Sequence, residues 1–189
     1  MDNIEGQLSA SENNPIGSNT IGHHHRDHDY FMEQALEEAK KCTPSQTAFS
    51  VGAVLVNSST DPHIVLTTGF SREREGNTHA EEVCFLKLQE QQDLLPLPQE
   101  TTLSLYTTME PCSKRLSGKK PCLNHIIDFG QISTVYIGTR EPSTFVAENT
   151  AIDQLQKHGI GCKFIDGAQP ICLNVATRGH ASSHSATVV

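Results

Sequence analysis

The chain has 189 residues, with 22 acidic against 14 basic side chains and a formal net charge of −8. That length suits one domain with tails. The acidic balance excludes a general nucleic-acid or membrane-surface binder, which carries a basic excess, and no apolar run approaches the roughly 20 residues of a membrane-spanning helix.

Residues 1–26 are polar, rich in Ser, Asn and Gly, and read as a disordered N-terminal arm. They lack the basic and apolar regions of a secretory signal. A reducing, cytoplasmic setting is therefore expected, with the six cysteines serving as thiols or metal ligands. The run HHHRDH at 23–28 has no second ligand cluster beside it and reads as linker. From residue 29 the pattern becomes regular. DYFMEQALEEAKK puts Phe31, Met32, Ala35, Leu36 and Ala39 on one helical face, with lysines at the end where the helix dipole prefers them. Strands are expected at 50–56 (SVGAVLV) and 63–70 (HIVLTTGF), joined by the turn residues NSSTDP. A helix at 79–91, a strand at 102–108 and a short helix at 122–130 closed by Gly130 follow. A strand at 133–138, a helix at 148–159 and a last strand at 162–166 complete the series. The order α-β-β-α-β-α-β-α-β implies an α/β domain over 27–168, one sheet of about five strands with helices on both faces. Residues 169–189 read as a loosely ordered C-terminal tail.

Chemistry concentrates at three junctions. His79 and Glu81 open a predicted helix, Cys112 follows a predicted strand after Pro111, and Cys122 opens another helix. The pattern matches the H-x-E…P-C-x-x-C signature of zinc-dependent deaminases except in its last gap, where nine residues separate the cysteines. One imidazole and two thiolates suit Zn²⁺ in tetrahedral geometry, and three protein ligands leave the fourth position for water, as catalytic sites require. Glu81 can reach that position without binding the metal and shuttle a proton to a ring nitrogen and a leaving amine. His125 is the competing ligand. Cys42, Cys84, Cys162 and Cys172 show no ligand spacing and read as ordinary thiols.

The segments YFMEQALEEAKK, VGAVLV, THAEE, YTTMEPCSKRLSGKKPC and VYIGTREPSTFVAENTAIDQLQKHGI resemble the deaminase of riboflavin biosynthesis, most closely its fungal form. The resemblance runs from about residue 29 to residue 166. It implies a cytidine-deaminase-like, three-layer α/β/α sandwich with a central mixed sheet and one Zn²⁺ per chain. It further implies a homodimer and a phosphorylated aminopyrimidine substrate, with neither nucleic acid nor membrane as partner. In fungi the family's substrate is 2,5-diamino-6-(ribitylamino)pyrimidin-4-one 5′-phosphate; the ribosylamino form stays open as an alternative. The long gap between cysteines is the most specific element, because cytidine, cytosine and tRNA-adenosine deaminases keep the short one. Deamination of such a base or nucleoside is the rival activity, and a non-catalytic zinc module the rival class. The cationic stretch between the cysteines is expected to anchor the phosphate, with Lys119 first, then Lys120, and with Arg115 and Ser117 assisting. The bacterial members carry a substrate-binding Asn where this chain has Ala48. In REPSTFV, Glu141 is a candidate partner for the amine-bearing edge of the substrate, a surface carboxylate being the equal alternative. Bacterial members continue into a reductase domain, so here reduction is expected on another protein.

Overall fold

Strand β1 (Gly52–Asn57) divides its side chains between two apolar layers: Ala53 and Leu55 face one, Val54 and Val56 the other, and all four are buried. A strand clothed on both faces reads as a continuous apolar run, which is the pattern of GAVLV. In the computed structural model, which describes residues 20–92, 96–145 and 148–180 with side chains from residue 27 onward, β1 lies inside a five-stranded sheet. The other strands are β2 (Ile64–Phe70), β3 (Leu103–Met109), β4 (Ile132–Thr139) and β5 (Gly161–Phe164), in the order β2-β1-β3-β4-β5. β1 pairs antiparallel with both β2 and β3, whereas β3–β4 and β4–β5 are parallel. The sheet is mixed, as expected. β3 is buried along its whole length and the edge strands are not.

One face carries α2 (Ala80–Gln92), α3 (Cys122–Phe129) and α4 (Ala151–Lys157), whose Cys84, Phe85, Leu88, Leu123, Ile126 and Leu155 pack on Leu55, Leu105 and Val135. The other carries α1 (Thr20–Lys40) and α5 (Gln169–Ala176), whose Phe31, Met32, Leu36, Cys172 and Val175 pack on Val54, Val56, Tyr106 and Tyr136. Both ends depart from expectation. α1 begins at Thr20, inside the stretch read as an arm, and the stretch read as a loose tail opens with α5. α5 is held because Cys172 and Val175 sit on the apolar layer, where Gly138 leaves room for the Cys172 sulfur; a Cβ there would lie 2.5 Å from it. Residues 1–19 of the expected arm and 181–189 of the expected tail lie outside the described residues.

The parallel pair sets the site. Active clefts of open α/β sheets form beyond the carboxyl ends of strands. Here β3 ends at Met109 and leads into Glu110-Pro111-Cys112, while β4 ends at Thr139 and leads into Arg140-Glu141. Because β1 is antiparallel to β3 with Ala53 opposite Thr107, the residues entering β1, Phe49 and Val51, arrive at the same end.

Candidate active site

His79 is the residue from which α2 starts: its carbonyl accepts from the Val83 N–H, and its own N–H donates to Glu82 Oε2 at 3.1 Å. A carboxylate three residues into a helix, reaching back to the capping residue, satisfies a backbone donor that the helix leaves unpaired. The preceding loop is tight, with Arg72, Gly76 and Asn77 all in the left-handed region. Glu81 follows in the first turn of α2 and points into the core beneath the cleft, 3% exposed. Cys122 opens α3 and is buried, and its backbone N–H donates to Cys112 Sγ at 3.4 Å.

These turns bring the three expected ligands together. His79 Nδ1 lies 3.5 Å from Cys112 Sγ and 3.3 Å from Cys122 Sγ, and one donor atom from each residue falls within 4.8 Å of the others. Glu81 Oε2 is 3.3 Å from Cys122 Sγ, and Thr107 Oγ1 is 3.1 Å from Glu81 Oε1. The Thr107 hydroxyl therefore orients the carboxylate from the middle of the sheet. Burial raises Glu81 above the usual carboxylate range. The hydrogen bond from the Cys122 thiol holds Cys112 well below an ordinary thiol, and the same bond, with burial, raises Cys122. Burial works against a protonated His79, but the Cys112 bond and the charges of Cys112 and Glu81 outweigh it and raise its pKa. The cluster thus shares protons that a cation would displace. Two sulfurs and one imidazole, with a carboxylate held beside them, fit the donor set of a catalytic zinc site with three protein ligands. His125 is not among them; its ring stacks on Phe85 at 6.4 Å.

A cavity of about 160 Å³ opens above the cluster, lined among others by Phe49, Glu81, Lys114, Arg115, Ser117 and Glu141. It is smaller than the ~300–1,000 Å³ of drug-sized sites, so it takes a single ring and leaves a longer substituent at the rim. Ser117 and Glu141 are among its lining residues. Burial first, then the charges of Cys112 and Glu110, pushes Glu141 up to about 7. Ala48 also lines the cleft and brings no side-chain donor. The two lysines expected to lead do not line it. Lys119 Nζ donates to the Gly76 carbonyl, and Lys120 pairs with Asp128 of α3 at 2.7 Å. Arg115 lines the cleft but is committed elsewhere. Its side chain is 2% exposed, pairs with Glu82 at 2.7 Å, and donates to the Asn77 and Lys120 carbonyls. It fastens the cysteine loop to the start of α2. Sequence reasoning missed Thr107, Glu82, Glu110 and Asn149. Of these only Glu82 left a signal, an acidic residue three positions after His79.

The cytidine and deoxycytidylate deaminase zinc-binding region matches residues 25–139 of this chain. The diaminohydroxyphosphoribosylamino-pyrimidine deaminase of Schizosaccharomyces pombe is 43% identical over 159 residues, which is 83% of this chain and 36% of that protein. The chain thus spans well under half of that relative. Among solved structures, a C-terminal deletion mutant of Aspergillus oryzae Rib2 deaminase superposes with a TM-score of 0.74 at 34% identity, over 82% of this chain and 93% of that one. The same protein in complex with DARIPP gives 0.72 at 33% identity, over 81% and 91%. The deaminase/reductase of Thermotoga maritima gives 0.64 at 28% identity, over 82% of this chain and 40% of the other.

Proposed function

The chain belongs to the cytidine and deoxycytidylate deaminase zinc-binding family, and from that premise we propose that it deaminates 2,5-diamino-6-(ribitylamino)pyrimidin-4-one 5′-phosphate, a step of riboflavin biosynthesis. The observation that carries this reading is the convergence of His79, Cys112 and Cys122, with buried Glu81 beside them, under a cavity that admits one ring. The pyrimidine deaminase named in the Schizosaccharomyces relative and the DARIPP complex of the Aspergillus enzyme support the substrate class.

His79, Cys112 and Cys122 would hold the zinc, which would supply Lewis acidity toward an attacking water. Glu81 takes the proton of that water as its oxygen bonds to the amine-bearing ring carbon, and passes it to the adjacent ring nitrogen. The carboxylate then takes the proton of the hydroxyl just added to the ring carbon and delivers it to the amine, the carbon–nitrogen bond breaks, and ammonia leaves as the ring carbonyl forms. Thr107 keeps the carboxylate aimed through these transfers. Glu141 faces the amine-bearing edge. Lys114 and Ser117 at the rim hold the phosphate, and anchoring that remote group fixes the reach of the ring. The net charge of −8 supports a small-molecule substrate over nucleic acid. The reading includes a cytoplasmic setting, which suits six unpaired cysteines, and a homodimer, for which the exposed Tyr30 and Ile171 offer apolar surface.

The test presents the ribitylamino and ribosylamino phosphates side by side, with cytidine as control, to zinc-loaded protein and follows ultraviolet absorbance and ammonia. Turnover of the ribitylamino compound is expected. Glu81→Gln should keep its zinc and lose roughly 10²–10⁴-fold in kcat, the usual contribution of a positioned acid–base group. Turnover of cytidine alone, or a fully active Glu81→Gln, would reject the assignment.

A further inference from the structure

Asn149 makes four hydrogen bonds, the full capacity of a carboxamide, and distributes them over three segments. Its Nδ2 donates to Glu141 Oε2 at 2.8 Å and to the Pro111 carbonyl at 2.9 Å. Its Oδ1 accepts from the Ser113 N–H at 3.1 Å and from the Ala151 N–H at 3.0 Å. The assignment of oxygen and nitrogen is forced by the partners, since a flipped amide would turn donors toward two N–H groups and its oxygen toward two oxygens. Cys112 stands between Pro111 and Ser113, so one side chain grips the backbone on both sides of a metal-binding residue. The Thr150 N–H donates to Ser113 Oγ at 3.1 Å and closes the same junction. The remaining bond holds the carboxylate of Glu141, whose own N–H donates to Glu110 Oε2 at 3.3 Å. Among the described residues, Asn149 is the side chain that donates a hydrogen bond to the Glu141 carboxylate.

We propose that Asn149 is a positioning residue that sets, through one carboxamide, both the seat of Cys112 and the aim of Glu141 at the pyrimidine. The Glu141 half rests on the deaminase reading above; the Cys112 half requires only that the cluster binds metal. The physical reason is economy of motion. The Glu141 carboxylate and the Cys112 thiolate lie on loops just past the paired ends of β4 and β3, where the ladder between Met109 and Thr139 has stopped and each side chain rotates about its own chain. A common clamp removes that independence, as partners outside a ligand set commonly do for the ligands they orient.

Two variants separate the halves. Asn149→Ala removes all four bonds. Asn149→Asp keeps the acceptor for Ser113 and Ala151, loses both donors and sets a second carboxylate against Glu141. Zinc release to a chromogenic chelator is measured on the full zinc-loaded chain and should accelerate about tenfold or more in Asn149→Ala, the scale of losses seen when a ligand's supporting partner is removed. It should accelerate less in Asn149→Asp. On the ribitylamino phosphate, Asn149→Asp should lower kcat/KM, and Asn149→Asp combined with Glu141→Gln should be no slower than Glu141→Gln alone. Thermal unfolding of the metal-free variants identifies a merely structural effect, which would lower Tm and leave zinc release from the folded protein unchanged. Unchanged release in Asn149→Ala overturns the Cys112 half, and additive losses in the double variant overturn the Glu141 half. If the unmodified protein turns over neither phosphate, the deaminase reading fails together with the Glu141 half, while the chelator assay still decides the other.

Discussion

Three cations line the cleft, and they differ in what they already hold. Arg72 donates to the Phe49 and Thr43 carbonyls, and Arg115 to Glu82, Asn77 and Lys120. Lys114 makes no hydrogen bond or ion pair with a described residue, so its ammonium can turn to an incoming phosphate without breaking a contact. A charge-assisted hydrogen bond contributes about 1.5–3 kcal/mol, and the exposure of Lys114 puts its share at the low end. Lys114→Ala should therefore raise KM for the phosphorylated pyrimidine about tenfold, with little change in kcat and none for the dephosphorylated compound. Lys119→Ala should have a smaller effect. Steady-state kinetics on both substrates reads this directly, and equal changes for both would remove Lys114 from phosphate recognition. The contrast shows what was legible at this scale. His79, Glu81, Cys112 and Cys122 could be found in the chain because they match the deaminase signature except in its last gap, and zinc chemistry accounts for those residue types. Which cation of a basic loop faces inward depends on distant partners, Glu82 for Arg115 and Asp128 for Lys120, and charge counting does not reveal them.

Helix α1 crosses β1 at Gly52 with no room for a side chain. A Cβ there would collide with the Ala35 carbonyl and the Ala39 nitrogen, both backbone atoms that cannot swing aside. Ala35 and Ala39 are themselves fully buried, so small residues on both elements permit the approach. Gly52→Ala should cost about 1–3 kcal/mol through overpacking, which for a chain of this size lowers Tm by roughly 2–4 °C per kcal/mol. An unchanged Tm in thermal unfolding of the zinc-loaded protein would mean that α1 does not sit this close. Most elements were legible from pattern, because β1 carries an apolar run from Ala53 to Val56 and α1 carries its stripe from Phe31 to Ala39. The exceptions depend on distant packing. α5 has only eight residues, too short to hold as an isolated helix; it is ordered by docking Cys172 over Gly138. The early turns of α1 carry polar residues, yet His28 Nδ1 lies 2.7 Å from the Tyr106 hydroxyl and its ring packs 4.2 Å from Tyr136. α4 was expected from residue 148 but starts at Ala151. The residues just before it, Asn149 and Thr150, are bonded to the junction around Cys112 instead.

The three ligands belong to three parts of the chain, the entry to α2, the loop after β3 and the entry to α3, which are also joined by the Arg115–Glu82 pair and the Cys122 N–H bond to Cys112. An ion at that point ties the ends of two helices to the central strand, so metal binding and folding share one free energy. Free zinc a thousandfold above its Kd would add about 4 kcal/mol, or roughly 8–16 °C in Tm at 2–4 °C per kcal/mol. Chelation should therefore lower Tm by that order, and the midpoint should climb with added zinc. The sign of the pH dependence follows from the protons in the cluster. Without metal, Cys122 keeps its proton because Cys112 accepts its hydrogen bond and burial disfavours a second thiolate. His79 holds a proton more readily than an ordinary imidazole. Binding needs both sulfurs ionised and the imidazole neutral, so protons leave as zinc enters, and affinity rises with pH. Competition titrations from about pH 8 to about pH 6 should show zinc affinity falling, and calorimetry in buffers of different ionisation enthalpy should register proton release. A zinc affinity indifferent to pH, or a Tm indifferent to the chelator, would show that these three side chains do not bind the ion together.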